Sequence, residues 1–204
     1  MTLKALSLTA SCMNTDGRIP ASGFKIRGKN LFIYIMGPVG YETAFKLYSE
    51  NIVQIKKQFP QFFINRFLDI GKNMADFDIE KTSDDVYIRE MLRGGLFAAL
   101  WNLCEETKTG CIVDHKKIPL NQEVVEILEL FNESPYEVSS KGSFLVFSNG
   151  PIENAALIGF TDNTKTRIII FADHKRYLTP PSRQEKDIID RKGESDERGN
   201  FKTY

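Results

Sequence analysis

The hydrophobic pattern first becomes regular at Leu31-Phe-Ile-Tyr-Ile-Met36, a short apolar run with aromatic and β-branched residues that is stopped by Gly37-Pro38. Such a run reads as a buried strand. Beyond it, Phe45, Tyr48, Ile52, Ile55 and Phe59 recur in steps of three and four, the stripe of an amphipathic helix. Pro60 interrupts this stripe and a second follows at Phe63, Phe67, Ile70 and Met74, so the pattern predicts two helices divided by a proline. Val86–Met91 reads as a short strand. Gly94-Gly95 then open a helix through Glu106 whose broad apolar face carries Leu96, Phe97, Leu100, Trp101, Leu103 and Cys104.

Gly110–Asp114 is the next predicted strand. Asn121 is placed to cap a helix running to about Asn132, with Leu120 positioned to pack on Val125. Ser143–Ser148 reads as a strand, and Ala155–Phe160 with Arg167–Ala172 as an antiparallel pair joined by the polar turn 161–166. The flanks differ from this core. Residues 1–30 form an irregular segment, rich in Gly, Ser, Asn and Thr, that allows one strand at Leu3–Leu8. Residues 182–204 are dominated by charge, too poor in apolar groups to build a core, and read as a flexible tail. The folded domain therefore spans 31–181.

Composition narrows the function. Twenty-seven Lys and Arg balance twenty-seven Asp and Glu, so no global positive field draws nucleic acid or an anionic membrane. No apolar run reaches the roughly 18 residues of a membrane helix. The N-terminus makes a poor signal peptide. Cys12, Cys104 and Cys111 are odd in number and match no metal-clip spacing, which predicts reduced thiols in a cytoplasmic protein with Cys104 buried.

Candidate chemistry is sparse. His115 and His174 each follow an aspartate, but neighbours on a strand point to opposite faces, so both read as surface histidines. Asp84-Asp85 and Glu105-Glu106 read as solvated acidic pairs. Gly37-Pro-Val-Gly40 joins a buried strand to a helix, where glycines permit a sharp turn and helix amides can receive an anion. It lacks the lysine of a phosphate loop and the third glycine of a dinucleotide fingerprint. Gly94-Gly95 permit a similarly close approach, with Arg89 and Arg93 nearby as anion-binding candidates. No metal site and no nucleophile with an adjacent base is legible.

The order of segments adds a resemblance. Gly37-Pro-Val-Gly-Tyr-Glu42 leads into a helix; Gly94-Gly-Leu-Phe-Ala-Ala-Leu-Trp-Asn-Leu-Cys-Glu-Glu106 is followed by Gly110-Cys-Ile-Val-Asp114 and Ile118-Pro119; Ser139-Ser-Lys-Gly-Ser-Phe-Leu-Val-Phe147 and Leu178-Thr-Pro-Pro181 close the core. This resembles the C-terminal domain of the AIR synthase-like (PurM-like) superfamily, with the hydrogenase-maturation type and the AIR synthase-related proteins most similar in appearance. The resemblance implies an α/β (α+β) fold, a three-layer α/β/α sandwich around a mixed sheet.

In that family a separate N-terminal domain supplies much of the ATP and magnesium site. Here only 30 residues precede Leu31. The family's His-Asp-Val-Thr-Glu segment is replaced by Arg89-Glu-Met-Leu-Arg93, the crossover helix after the Ser143 strand is replaced by the link Asn149–Asn154, and the reactive C-terminal cysteine of the hydrogenase-maturation proteins is absent. The expectation is a stand-alone domain without the ATP-binding half: a non-catalytic binding, regulatory or assembly module with an exposed apolar sheet face or edge. Its partner would be a second copy, as a homodimer, or an AIR synthase-like N-terminal-domain protein. The alternatives are one subunit of a split ATP-dependent enzyme and a fragment of a larger gene product; the split enzyme is the one that bears on a site. The resemblance then places Gly37, Gly40, Glu42, Glu90, Arg93, Gly94 and Gly95 along a ligand- or phosphate-binding site. No cofactor is expected, ATP and magnesium entering only if a partner supplies the nucleotide-binding half.

Overall fold

A computed structural model of the chain describes residues 30–72 and 86–181. The predicted strand at Leu3–Leu8, the Asp84-Asp85 pair, Cys12 and the charged tail lie outside the described residues.

The elements run β1 (Phe32–Met36), α1 (Tyr41–Glu50), α2 (Ile52–Gln58), α3 (Gln61–Lys72), β2 (Val86–Met91), α4 (Gly95–Thr107), β3 (Gly110–Asp114), α5 (Gln122–Leu130), β4 (Ser140–Ser148), β5 (Ala156–Asp162), β6 (Arg167–Ile170) and β7 (Lys175–Tyr177). A 3₁₀ turn at His115–Lys117 follows β3. The seven strands form one mixed sheet in the order β2-β4-β1-β5-β3-β6-β7. β3 and β6 are parallel and the other neighbours antiparallel. The chain is thus an α/β protein with a mixed sheet, as the resemblance implies.

Two expectations are corrected. The stripe from Phe45 to Phe59 is not one helix, because Asn51 breaks it. Asn51 sits at φ −126°, ψ 33°, outside helical geometry, and both its amide and its side chain donate to the Leu47 carbonyl. The side chain thus competes for a helical carbonyl, as Asn does in turns. The second correction concerns β5 and β6, which do not pair. β3 inserts between them, antiparallel to β5 and parallel to β6. The turn 162–166 is held open by Asp162, whose Oδ1 accepts from the Thr164 amide and hydroxyl, and the Thr166 carbonyl accepts from Cys111 N–H at 2.9 Å. β3 can lie against β5 this closely because Gly159 has no Cβ to meet the Ile112 carbonyl.

One face of the sheet is packed by α4. Ile33, Ile35, Met91, Leu145, Phe147, Cys111, Val113, Ile158 and Ile169 meet Leu96, Phe97, Ala99, Leu100, Leu103 and Cys104 in a single buried core. α4 is apolar almost all round because it also lies under other parts of the chain, consistent with its full burial from Gly95 to Leu100. A second core joins α1, α2, α3 and α5 around Phe67, Ile55, Tyr48 and Ile127, with Val138 as the contribution of the segment leading into β4.

The opposite sheet face is different. Tyr34, Met36, Val86, Ile88 and Val146 are covered at one corner by Ile152 and Ala155 of the short link after β4. Further across, Phe32, Leu157, Phe160, Ile170 and Tyr177 are exposed. Among the described residues no helix belongs to this face's cluster. The sheet and one helical layer of the expected sandwich are therefore in place, and among the described residues part of this apolar face is open.

Candidate functional site

β1 and β2 both run antiparallel to β4, so the ends of β1 and β2 converge on the start of β4. Three sequence-predicted segments meet there: the loop 37–40, the stretch 90–95, and residues 138–143. Met36 and Glu90 both align with Phe144 of β4.

The contacts at this junction are specific. Gly40 N–H donates to Ser140 Oγ at 2.7 Å, and Ser143 Oγ donates to the Pro38 carbonyl at 3.1 Å. Thr43 Oγ1 donates to the Ser139 carbonyl at 2.8 Å, and Glu90 Oε1 accepts from Gly142 N–H at 2.7 Å. Gly40, at φ 81° and ψ −6°, is the N-cap of α1, and a Cβ there would lie 2.9 Å from Leu128. Gly95 sits at φ 61° directly beneath the carbonyls of Val138 and Tyr136, 2.5 and 2.6 Å from where its Cβ would be. Any L-residue at Gly95 therefore meets backbone rather than a movable side chain.

The structure thus brings Gly37, Gly40, Glu90, Gly94 and Gly95 to one end of the sheet, with Glu42 on the first turn of α1. Several of the groups that could receive a phosphate are already used. Gly40 N–H is bonded to Ser140, Gly95 N–H to the Leu92 carbonyl, and Phe97 N–H to the Tyr136 carbonyl. Glu42 Oε2 is the exception, buried with no hydrogen-bond partner among the described residues. Arg93 is exposed.

Arg89 faces away from this end. It is 5 % exposed on the α4 side of the sheet and forms an ion pair with Glu106. Its pairing is a correction twice over, because Arg89 belongs to the core rather than to an anion site and Glu106 is not simply solvated. Glu105 does the same for Arg167, pairing at 2.5 Å while the guanidinium lies 3.9 Å over the Trp101 ring. The last turn of α4 therefore grips two buried arginines, one from β2 and one from β6. Charge alternation alone carries no signal for this, since it depends on β3 separating β5 from β6.

Sequence reading also missed an aromatic cluster. His115 lies 4.3 Å from Phe171 and 5.1 Å from Tyr136, ring centre to ring centre; Phe171 stacks on His174, and Tyr136 stacks on Phe97. His115 is half-buried, and desolvation holds its pKa below the usual value against the opposing pull of Asp114. His174 is exposed as expected and bonds Asp173 at 2.7 Å, which lowers the Asp173 pKa. Cys104 and Cys111 are both fully buried, as predicted for Cys104. The Cys111 thiol hydrogen-bonds Cys104 and so lowers the Cys104 pKa, while its own is raised. Among the described residues no three His, Cys, Asp or Glu side chains converge as a metal site, and no helix is long and apolar enough to cross a membrane.

No family model and no curated protein matches this chain. Solved structures do. A hydrogenase maturation protein HypE in complex with ATP aligns over 79 % of this chain and 53 % of its own, with a TM-score of 0.53 and 16 % identity. HypE of E. coli aligns over 78 % and 52 %, with a TM-score of 0.54 and 16 % identity. The HypE–HypF complex gives 0.52 over 78 % and 55 %, at 14 % identity. The fold is the AIR synthase-like (PurM-like) fold, in agreement with the resemblance carried by the Gly94–Glu106 helix and its neighbours. The chain spans about half the length of these structural neighbours.

Proposed function

We propose that this chain works in the cytoplasm as a non-catalytic binding, regulatory or assembly module built on the fold of an AIR synthase-related C-terminal domain. The observation that carries this reading is the junction at the end of the sheet. The Gly40 and Gly142 amides, the Ser140 and Ser143 hydroxyls and the Glu90 carboxylate are spent on joining β1, β2 and β4 to one another. Phosphoryl transfer needs preorganised donors and metal ligands free for the substrate, and these five groups are committed to the fold.

Two further features support an assembly role. The fold matches about half of each neighbouring HypE chain. Phe45, Ile52, Val53 and Phe62 of α1–α3 are also exposed, and Ile52 and Val53 line a shallow groove of about 520 Å³ along Glu50–Gln58. Exposed apolar side chains beside a groove suit a protein–protein contact. The partner is a second copy or an AIR synthase-like N-terminal-domain protein; zero net charge supports neither nucleic acid nor membrane. Sedimentation velocity over a wide concentration range, alone and with such a protein, tests this. Assembly that Val53→Ser and Phe62→Ser weaken supports the reading. A lone monomer under every condition contradicts it.

Glu42 favours a second reading. A buried carboxylate oxygen without a partner costs stability unless something binds it. In a split ATP-dependent enzyme of hydrogenase-maturation, AIR synthase or selenophosphate synthetase type, Glu42 would meet the magnesium or phosphates brought by the nucleotide-binding chain. Gly37, Gly40, Glu90, Arg93, Gly94 and Gly95 would line that site. Glu42→Gln then abolishes turnover of the reconstituted pair, whereas under the first reading no turnover exists to lose.

A further inference from the structure

Cys104, near the end of α4, and Cys111, in β3, are both fully buried in the core between helix and sheet. Only Lys108 and Thr109 separate the two elements. Lys108, at φ 56°, ends the helix in a left-handed turn, and Thr109 N–H donates to the Cys104 carbonyl at 3.0 Å. Such a turn folds the chain straight back on the helix, so β3 returns under the turn of α4 it has just left. The two thiols meet there and hydrogen-bond each other.

Arg167 is the third member of this group. It is the register partner of Cys111 on the parallel neighbour β6, and residues directly opposite on adjoining strands share a face. Its guanidinium lies 3.9 Å over the Trp101 ring and pairs with Glu105 at 2.5 Å. Trp101 and Glu105 flank Cys104 along α4, so one stretch of helix carries the thiol and straddles the cation. Arg167 Nε is itself buried with no hydrogen-bond partner among the described residues. A buried charged donor of this kind favours a nearby anion.

Ordinary core cysteines pack as small hydrophobes. Here the hydrogen bond from Cys111 and the charge of Arg167 hold the Cys104 pKa below its usual value, against the effect of burial. A thiol that ionises readily beside a second thiol is the arrangement that peroxide oxidises to a disulfide.

We propose that Cys104 and Cys111 are a redox-active dithiol that a small hydroperoxide converts to a disulfide between α4 and β3, with Arg167 as the positioning residue for the attacking Cys104 sulfur. The Cys104 thiolate attacks one peroxide oxygen; the O–O bond breaks, hydroxide leaves and is protonated to water, and Cys104 becomes a sulfenic acid. The Cys111 sulfur then attacks the Cys104 sulfur. The S–S bond forms, the S–O bond breaks, and the oxygen leaves as water with the Cys111 proton. Two thiols are oxidised and one hydrogen peroxide is reduced to two waters. Local opening at the C-terminal end of α4 admits the oxidant. The site lies at the opposite end of α4 from Gly94-Gly95 and is independent of the functional reading above, which uses neither thiol.

The full chain carrying Cys12→Ser retains only these two thiols. It is reduced, treated with hydrogen peroxide while folded, blocked with N-ethylmaleimide in urea and analysed by mass spectrometry. The expected product is a monomer lighter than the reduced chain by two hydrogen atoms and free of maleimide. Its tryptic peptides 94–108 and 109–116 are joined, and a phosphine reductant separates them. Thiols that stay reduced under an exposure that links them in urea would overturn the proposal, as would a sulfinic acid without a link or a covalent dimer. Arg167→Met should slow disulfide formation about tenfold near neutral pH and move its rate–pH profile to higher pH, and Arg167→Lys should restore part of the rate. Equal rates in the parent chain and Arg167→Met would overturn the role assigned to Arg167.

Discussion

The two faces of the sheet solve the same problem differently. Against α4 the sheet is sealed: Leu100, Leu103, Leu145 and Phe147 are essentially inaccessible, and Arg89 and Arg167 enter that core only with a glutamate each from the last turn of the helix. On the other side the same strands present Phe32 and Phe160 at more than two-fifths exposure. Strands of one sheet alternate faces along a single chain, so both sides are equally apolar in sequence. What differs is whether a covering element follows in the chain. The link after β4 is long enough to cover only the corner around Tyr34 and Val86.

This contrast can be broken most sharply at Phe147. Phe147→Ala on the sealed face should cost about 3–5 kcal/mol, read as a lower midpoint in urea; the open-face Phe160→Ala should cost less than about 1 kcal/mol by the same assay. Similar losses at both would mean that the faces are equally packed. Next in size is Gly95→Ala, which places a Cβ against the Val138 and Tyr136 carbonyls and should cost about 2–3 kcal/mol. Glu105→Gln removes the partner of a largely buried arginine, but Glu105 itself is well exposed. Solvent screening limits the loss to about 1 kcal/mol.

The smallest effect is a pH dependence. His115 has a folded pKa below its unfolded value, so the unfolded chain binds more protons between the two. Stability therefore falls as the pH drops through the ordinary histidine range near 6.5 toward the lower folded value, and the neutral His115→Asn variant should flatten that part of the profile. A profile with the same slope in both proteins would place the titrating group elsewhere.

Much of this was legible in the sequence. Short apolar runs bounded by Gly and Pro located β1, β2, β3 and the core of β4, and the double glycine located α4. The order of these segments carried the fold. Pairing was not legible, because the insertion of β3 between β5 and β6 depends on a turn opened by Asp162 and on a backbone contact at Gly159. The break at Asn51 was hidden by a stripe that continues in phase through it. At the candidate site, the glycines were legible as turns, but their partners Ser140, Gly142 and Ser143 lie about a hundred residues away from the Gly37–Gly40 loop, or fifty from Glu90. Spacing cannot reveal them. The pairing of Glu105 and Glu106 with arginines on different strands was hidden for the same reason.

The central claim is that the glycine turns at the end of the sheet hold the fold together rather than a nucleotide. Isothermal titration calorimetry of the full chain with magnesium and ATP tests it most directly. The account predicts no binding heat beyond dilution. Saturable binding with a micromolar Kd that Glu42→Gln abolishes would contradict it.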